Sequence, residues 1–440
     1  VVALAMASLA TCRAPGPEHQ KRATSDPVDR LVLPIDDGSR MVVPGTASPR
    51  ARKEREAGPV DPTRSLGWLS LYLKRTPEQH VALSELLQDQ QDPKSSKYRQ
   101  WLTPEQFGER FGLTQHDLDG VTSWLAAEGF TVRGVASGRT RVDLSGTAEQ
   151  VERVFKPDLR VYHGGGRDHF ANASDVSVPV ALEPLVAYVG GLNDFHVRRV
   201  AHPVQPDYTF GTSTHFVVPA DFTTIYDLTN LYDWSTSVDG TGVNIAIVGE
   251  TSIVSSDITN FRTLSGLPDI TLNTYLMPGG NSSYSDPSDL PEAELDIEWS
   301  GAVARNATIS YVYTGTDDTD ALSALQYIVD APAKVGNPTI VSVSYGACEQ
   351  EYGSADAEYV EQWNQQGNAE GITIIAATGD SGAAACDDSG ASDAKGLRDQ
   401  PAGWLPGDDG RGWYEVRRRE RVVLELHQQQ RLRICQVLHP

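Results

Sequence analysis

Cysteine is scarce in this chain, with four in 440 residues, and no Cys/His spacing has the form of a zinc site. Basic residues are short as well: 37 Lys and Arg face 59 Asp and Glu, for a formal charge of −22. A surface that acidic repels polyanions, which argues against nucleic acid as a partner. Long apolar runs are missing too. The stretch Val1 to Cys12 is too short to span a bilayer, and nothing later approaches a transmembrane helix, so no membrane span is expected. A chain this acidic sheds charge as pH falls, which is compatible with working in acid but is shared by many ordinary acidic proteins.

What is present suits a folded protein, with 39% apolar and 22% charged residues. A length of 440 residues exceeds what one compact core usually fills, so two globular units with tails are expected. Residues 1–25 read as a signal-like leader, an apolar run rich in small residues followed by Arg13 and a Pro/Gly stretch. No initiating Met or basic segment precedes it, so the start reads as truncated or misassigned. Leu9-Ala10-Thr11-Cys12 also has some likeness to a lipoprotein cleavage site, although Thr before the Cys is atypical. An ordinary export signal is the favoured reading, and it makes the protein secreted. In an exported protein, Cys348 and Cys386, each following a predicted buried strand, become candidates for a disulfide; two free buried thiols are the alternative.

Residues 26–60 mix Pro, Gly, Arg and Asp without periodicity and read as a flexible lead-in, with a strand at Arg30 to Pro34. A folded unit over 61–195 follows. Thr76-Pro77-Glu78-Gln79, Thr103-Pro104-Glu105-Gln106 and Thr147-Ala148-Glu149-Gln150 each place a hydroxyl where it caps a helix and a Gln three residues on. In the first two, Pro takes the first helical position, where its missing N–H costs nothing. Phe130 to Val135 and Thr140 to Leu144 alternate like half-buried strands joined by a Ser-Gly turn. Together these predict a small α+β sandwich. Residues 196–216, with Arg198, Arg199, Pro203 and Pro206, read as a linker.

From residue 217 to about 400 the pattern becomes α/β. Val243 to Val248, Ala307 to Tyr313, Thr339 to Ser344 and Ile372 to Ala377 read as strands buried on both faces, with helical stretches at Glu292 to Ala304 and Asp318 to Ala331. The alternation predicts a doubly wound, mainly parallel sheet with its reactive groups at the carboxyl ends of strands. Residues 401–440 differ in character. From Arg411 onward there are seven Arg, no Lys and three Glu, an abrupt change that reads as a frame change beginning near Gly396 to Arg411, with a native basic tail as the alternative.

Two acidic islands stand out in the α/β part. Asp289 can cap a helix that places Glu292 and Asp296 one turn apart on one face, with Glu294 and Glu298 projecting elsewhere. Such a pair can share a proton, and repulsion between two ionised carboxylates raises one pKa. It can then act as a base in acid, where histidine is already protonated. Acidic residues near a helix N-terminus are also favoured by the helix dipole alone. The second island, Thr378-Gly379-Asp380-Ser381-Gly382, is good loop chemistry in its own right.

Taken together these segments resemble the sedolisin, or serine-carboxyl peptidase, family, in particular kumamolisin-like precursors with an activation prodomain. The likeness runs through Leu86 to Pro93, Tyr98 to Phe107 and Val142 to Thr147 in the first unit. In the second it runs through Pro219 to Phe222, Glu292 to Glu298, Ser342 to Gly346 and Gly379 to Gly382, so that roughly residues 60 to 395 are covered. The resemblance implies a subtilisin-like α/β peptidase domain, here C-terminally incomplete, after a ferredoxin-like prodomain that assists folding and inhibits the site intramolecularly until acid triggers cleavage in the linker. It further implies protein or peptide substrates, a monomer, and Glu292 as general base. Asp296 would orient it and hold the shared proton, and Asp380, protonated, would be the oxyanion donor.

The family's nucleophile lies in a Gly-Thr-Ser segment well beyond the Asp380 motif, and its calcium loop lies later still. In this sequence the one Gly-Thr-Ser is Gly211-Thr212-Ser213, in the linker, and Ser381 reads as loop structure. Calcium is therefore expected from the family while its ligands are missing here, and the chain as written is expected to be inactive. A non-catalytic pseudoenzyme or inhibitor module built from the prodomain is the competing reading. A glycosidase using Glu292 and Asp296 is weaker, because no aromatic-rich sugar platform surrounds them. Glu250, after the first strand of the peptidase part, reads as a capping or surface residue with membership of the proton network left open. Reading the coding DNA in its other two frames from the codon of Gly396 should recover a Gly-Thr-Ser segment and an Asp-rich terminal loop; stop codons in both frames would favour the non-catalytic module.

Overall fold

The computed structural model describes residues 26–164, 167–195, 198–199, 217–233, 238–347 and 354–377. The first unit begins with β1 (Arg40–Val42), β2 (Glu56–Pro59) and the long β3 (Ser65–Leu73). Three helices follow: α1 (Pro77–Gln91), α2 (Pro104–Phe111) and α3 (Gln115–Ala127). Then come β4 (Thr131–Val135), β5 (Arg141–Thr147), α4 (Ala148–Phe155), β6 (Leu159–Gly164), β7 (Arg167–Asn172), β8 (Ser177–Pro179) and β9 (Val186–Gly190). The main sheet is antiparallel with order β4-β5-β3-β9. Two central strands flanked by the second and fourth are the split βαβ arrangement of a ferredoxin-like fold. Its core joins Leu69, Leu71, Val142 and Leu144 from the sheet to Val121, Leu125, Val151 and Phe155 from the helices.

All three expected capping boxes form, with Thr76, Thr103 and Thr147 each accepting from the N–H of the Gln three residues on and that Gln returning to the Thr N–H. The strand expected at Arg30 to Pro34 is absent. Its backbone N–H groups have a different partner: those of Arg30 and Leu31 donate to the Asp117 carboxylate on α3 at 2.9 to 3.1 Å. The first strand is instead β1, paired with β8.

A short strand, β10 (Arg198–Arg199), precedes the second unit, which opens with α5 (Pro219–Ile225) and α6 (Thr229–Tyr232). Next are β11 (Asn244–Gly249), α7 (Ser255–Leu264), β12 (Thr271–Leu276), α8 (Leu290–Val303), β13 (Thr308–Tyr313) and α9 (Ala321–Asp330). The described part closes with β14 (Ile340–Val343), β15 (Tyr345–Gly346), α10 (Ser354–Ala369) and β16 (Thr373–Ala376). The sheet has order β12-β13-β11-β14-β16 and every pair in it is parallel. Strand order reverses beside β11, so the sheet is doubly wound and its C-terminal edge gathers the starts of α8 and α9. One core packs Val248, Val312, Val341 and Val343 against Leu325, Ile328 and Val329 of α9; another packs Ile247 and Ile309 against Ile297 of α8. The edge strand β12 carries no apolar run, which hides it from a search for buried strands.

The two units meet through α9 and α10. Arg141 of β5 pairs with Asp330 at the end of α9 at 2.7 Å, and Gln326 donates to Tyr72 at 3.2 Å. Tyr72, Tyr188 and Tyr359 stack, with ring centroids of Tyr72 and Tyr359 4.0 Å apart. Near the other end of α10, the Leu102 N–H and Gln90 Nε2 donate to the carbonyl of Ala369 at 2.9 and 3.0 Å. Gly371 holds a positive φ under Trp101, where a Cβ would sit 2.6 Å from the indole. Thr147→Ala should remove one of the capping boxes and lower the unfolding free energy by about 1 kcal/mol, measured by denaturant titration of the whole chain.

Candidate active site

The C-terminal edge of the parallel sheet concentrates carboxyl groups. Glu250 directly follows β11, Asp286 and Asp289 lie on the turn into α8, Glu292 and Asp296 occupy its first turns, and Asp320 caps α9. Gly249 makes room here, since a Cβ would fall 2.1 Å from the Tyr311 hydroxyl, which donates to the Thr251 carbonyl at 2.8 Å. The Thr251 hydroxyl in turn accepts from the Asp286 N–H at 2.7 Å, tying the loop after β11 to the turn before α8.

Glu292 is buried, at 6% exposure, one turn before the half-buried Asp296. Spacing of four along α8 sets both on one face. Asp296 Oδ1 accepts from the Ser344 hydroxyl at 2.9 Å, while its Oδ2 has no partner among the described residues. Burial pushes the Asp296 carboxyl up to about 6, the Ser344 hydrogen bond opposes this, and the charge of Asp289 adds to it. The other two acids of the helix point away. Glu294 Oε1 accepts from the Val254 N–H at 2.9 Å, and Glu298 is pushed up to about 7 by burial and then by Glu294 and Asp257.

Asp289 departs from the sequence expectation. It precedes α8, and its carbonyl accepts from the Glu292 N–H at 3.0 Å, but its side chain caps nothing. Both carboxylate oxygens face the Tyr345 hydroxyl instead. Glu250 does serve as a cap, accepting from the Ala321 N–H at the start of α9 at 3.0 Å. Burial first, then Asp320, Asp289 and Asp286, hold its carboxyl well above the ordinary range.

Asp380, Ser381, Cys348, Cys386 and the Gly211-Thr212-Ser213 segment lie outside the described residues. The structure therefore brings together Glu292 and Asp296. It adds Ser344 and Tyr345, for which the sequence suggested no role, together with Asp289, expected as a helix cap, and Glu250, expected as a capping or surface residue. Ser344 and Tyr345 could have been found from the rule that reactive groups follow parallel strands, since they come directly after β14. For calcium, no group of three or more His, Cys, Asp or Glu side chains is placed to hold a metal ion among the described residues. Among the same residues no helix is long and apolar enough to cross a membrane.

Beside this edge, β10 pairs antiparallel with β15, Arg198 opposite Gly346 and Arg199 opposite Tyr345. A cavity of about 500 Å³ opens between the units, lined by Trp68, Tyr72, Arg141, Tyr188, Asp320 and Asp356 among others. Asp356 accepts from the Tyr188 hydroxyl and is pushed up to about 7 by burial.

Comparison with known proteins matches residues 52–195 to the family described as Pro-kumamolisin, activation domain. Xanthomonalisin of Xanthomonas sp. (strain T-22) is 29% identical over 326 residues, covering 68% of this chain and 38% of that protein. Kumamolisin of Bacillus sp. (strain MN-32) is 27% identical over 364 residues, covering 79% and 62%. Tripeptidyl-peptidase 1 of Mus musculus is 27% identical over 357 residues, covering 80% and 60%. The chain thus spans between 38% and 62% of the length of these relatives. A Pseudomonas sedolisin structure overlaps 42% of this chain and 50% of its own at 21% identity, with a TM-score of 0.34.

Several half-buried carboxyls hold protons more tightly in the folded state than in the unfolded chain: Asp296 and Asp330 at about 6, Glu298 and Asp356 at about 7, and Glu370 at about 9. A folded pKa raised in this way contributes stability that is complete below the ordinary carboxyl range and is lost as pH rises through the raised values. The thermal midpoint of the chain should therefore be higher near pH ~5 than near pH ~8, as followed by circular dichroism.

Proposed function

We propose that this chain is a sedolisin-family precursor, a pro-kumamolisin activation domain followed by a segment similar to serine-carboxyl peptidases, and the zymogen form of an exported, acid-acting endopeptidase. It would cleave peptide bonds through an acyl-enzyme. The observation that carries this reading is the pair on α8: Glu292 buried, Asp296 one turn on with its Oδ1 held by Ser344.

A base that works in acid must be a carboxylate, because imidazole is protonated there. Glu292 takes the proton of the attacking serine hydroxyl and later gives it to the leaving amine, so the proton count closes over the acylation step. Asp296 orients Glu292 and keeps one proton on the pair, a role that suits a carboxyl pushed up to about 6. Asp380, in its protonated form, would donate to the developing oxyanion, since an ionised carboxylate would repel it. The nucleophile of this reading would be a serine in a Gly-Thr-Ser segment C-terminal to Asp380, which the sequence as written does not contain, so the chain as written would be inactive.

Inhibition by the prodomain is supported by two features. Arg141 and Tyr188 hold acids of the peptidase unit at the contact between the units. The linker strand β10 lies antiparallel on β15, immediately after Ser344, in the manner of an extended peptide added to a sheet edge. Acid cleavage within 196–216 would release the edge for protein or peptide substrates.

The test uses the full-length precursor that contains this chain, expressed and then acidified. Hydrolysis of a denatured protein substrate near pH ~4 should fall about 10²- to 10⁴-fold in Glu292→Gln and in Asp296→Asn, with the unfolding transition retained. Activity surviving both substitutions would remove the assigned roles.

A further inference from the structure

The cavity of about 500 Å³ between the units has the size of a small-ligand site, and such sites favour the contact between two packed bodies. Two residues that line it carry buried polar atoms with no hydrogen-bond partner among the described residues. One is Thr319, only 8% exposed, through its hydroxyl. The other is Arg141, through Nε, although its Nη2 is held by Asp143 at 3.1 Å and Asp330 at 2.7 Å. A buried polar atom left this way costs stability, and folded proteins keep few of them.

The two walls differ in charge. Arg133 of β4 and Arg141 of β5 come from the first unit, while Asp318 and Asp320, before α9, come from the second. Asp143 also lines the first wall, but it is paired with Arg141 and accepts from the Ser70 hydroxyl at 2.9 Å. Asp356 of α10 is engaged by the Tyr188 hydroxyl and keeps its proton up to about 7, so the acidic wall rests on Asp318 and Asp320. Asp320 spends Oδ1 on the N–H groups of Leu322 and Ser323, and Asp318 is exposed at the rim. Apolar surface comes from Trp68 and Tyr72. Trp68 is fixed in place: the Arg133 guanidinium sits 4.6 Å from its ring centroid, and a Cβ on Gly279, which has φ +91°, would fall 2.8 Å from the indole.

We propose that this cavity binds a short peptide with both ends free, its carboxylate toward Arg133 and Arg141 Nε, its ammonium toward Asp318 and Asp320, and an apolar side chain against Trp68 and Tyr72. A ligand of one charge would satisfy one wall and be repelled by the other, whereas a zwitterion complements both. The Thr319 hydroxyl supplies a donor or acceptor for the peptide group between the ends. A peptide held there touches both units and stabilises their contact by mass action. The site does not depend on the roles of Glu292 and Asp296.

The test is calorimetric titration of the full chain with alanyl-phenylalanine. Binding should be saturable at one site, and acetylating the amino end or amidating the carboxyl end should each weaken it about tenfold. Thr319→Val should weaken it by about threefold to tenfold. Ser323→Phe, which fills the cavity from the first turn of α9, should abolish it while circular dichroism shows the fold retained. If Thr319→Val does not fold, the blocked peptides and Ser323→Phe decide. Absence of binding, equal affinity for the free and blocked peptides, or binding that survives Ser323→Phe would make the cavity a solvent-filled gap between the units and overturn the proposal.

Discussion

Carboxyl groups taken out of water must keep a proton or gain donors, and the second unit of this protein is organised around that constraint. A parallel sheet sends all its strand ends to one edge, and the crossovers bring the starts of α8 and α9 to the same edge. Six acids collect there. Five of them meet the constraint in different ways: Asp320 and Glu250 accept helix N–H groups, Asp286 accepts from Ser288, Asp289 faces a phenol, and Asp296 combines one hydroxyl with a raised proton affinity.

The contact between the two units follows the same physics. Arg141 is half-buried and pairs with Asp330, whose carboxyl is pushed up to about 6 because burial outweighs the pull of the guanidinium. Two oppositely signed effects on one pair mean that its net contribution to stability is small, while removal of one partner would strand the other. Stacked tyrosines and the backbone bonds to Ala369 supply contacts that do not titrate. Titration of these groups therefore changes the charge of the interface while the stacked rings and backbone bonds keep their contacts.

Much of the fold was legible in the residues. The three Thr-x-x-Gln segments signalled capping boxes because both reciprocal bonds are local, and the β-branched runs signalled β11, β13, β14 and β16; burial on both faces holds for β11 and β13, whereas β14 alternates and β16 exposes Thr373 and Ile375, against expectation. The half-exposed β12 and the Gln-rich α10 carried no such signal. The strand expected near Arg30 failed for a long-range reason: its N–H groups found the Asp117 carboxylate across the fold. Of the site, the i, i+4 relation of Glu292 and Asp296 was readable, whereas the cap assigned to Asp289 was lost to Tyr345, more than fifty positions away.

The sequence by itself determined which residues start helices, which runs become buried strands, and that two carboxyls share a face of one helix, since all of these depend on neighbours within a few positions. Tertiary structure alone decided that Ser344 reaches Asp296, that Tyr345 takes Asp289 from its helix, and that Glu250 caps α9. Those pairings join residues from separate strands and helices, and only the packing of a doubly wound sheet sets their ends side by side.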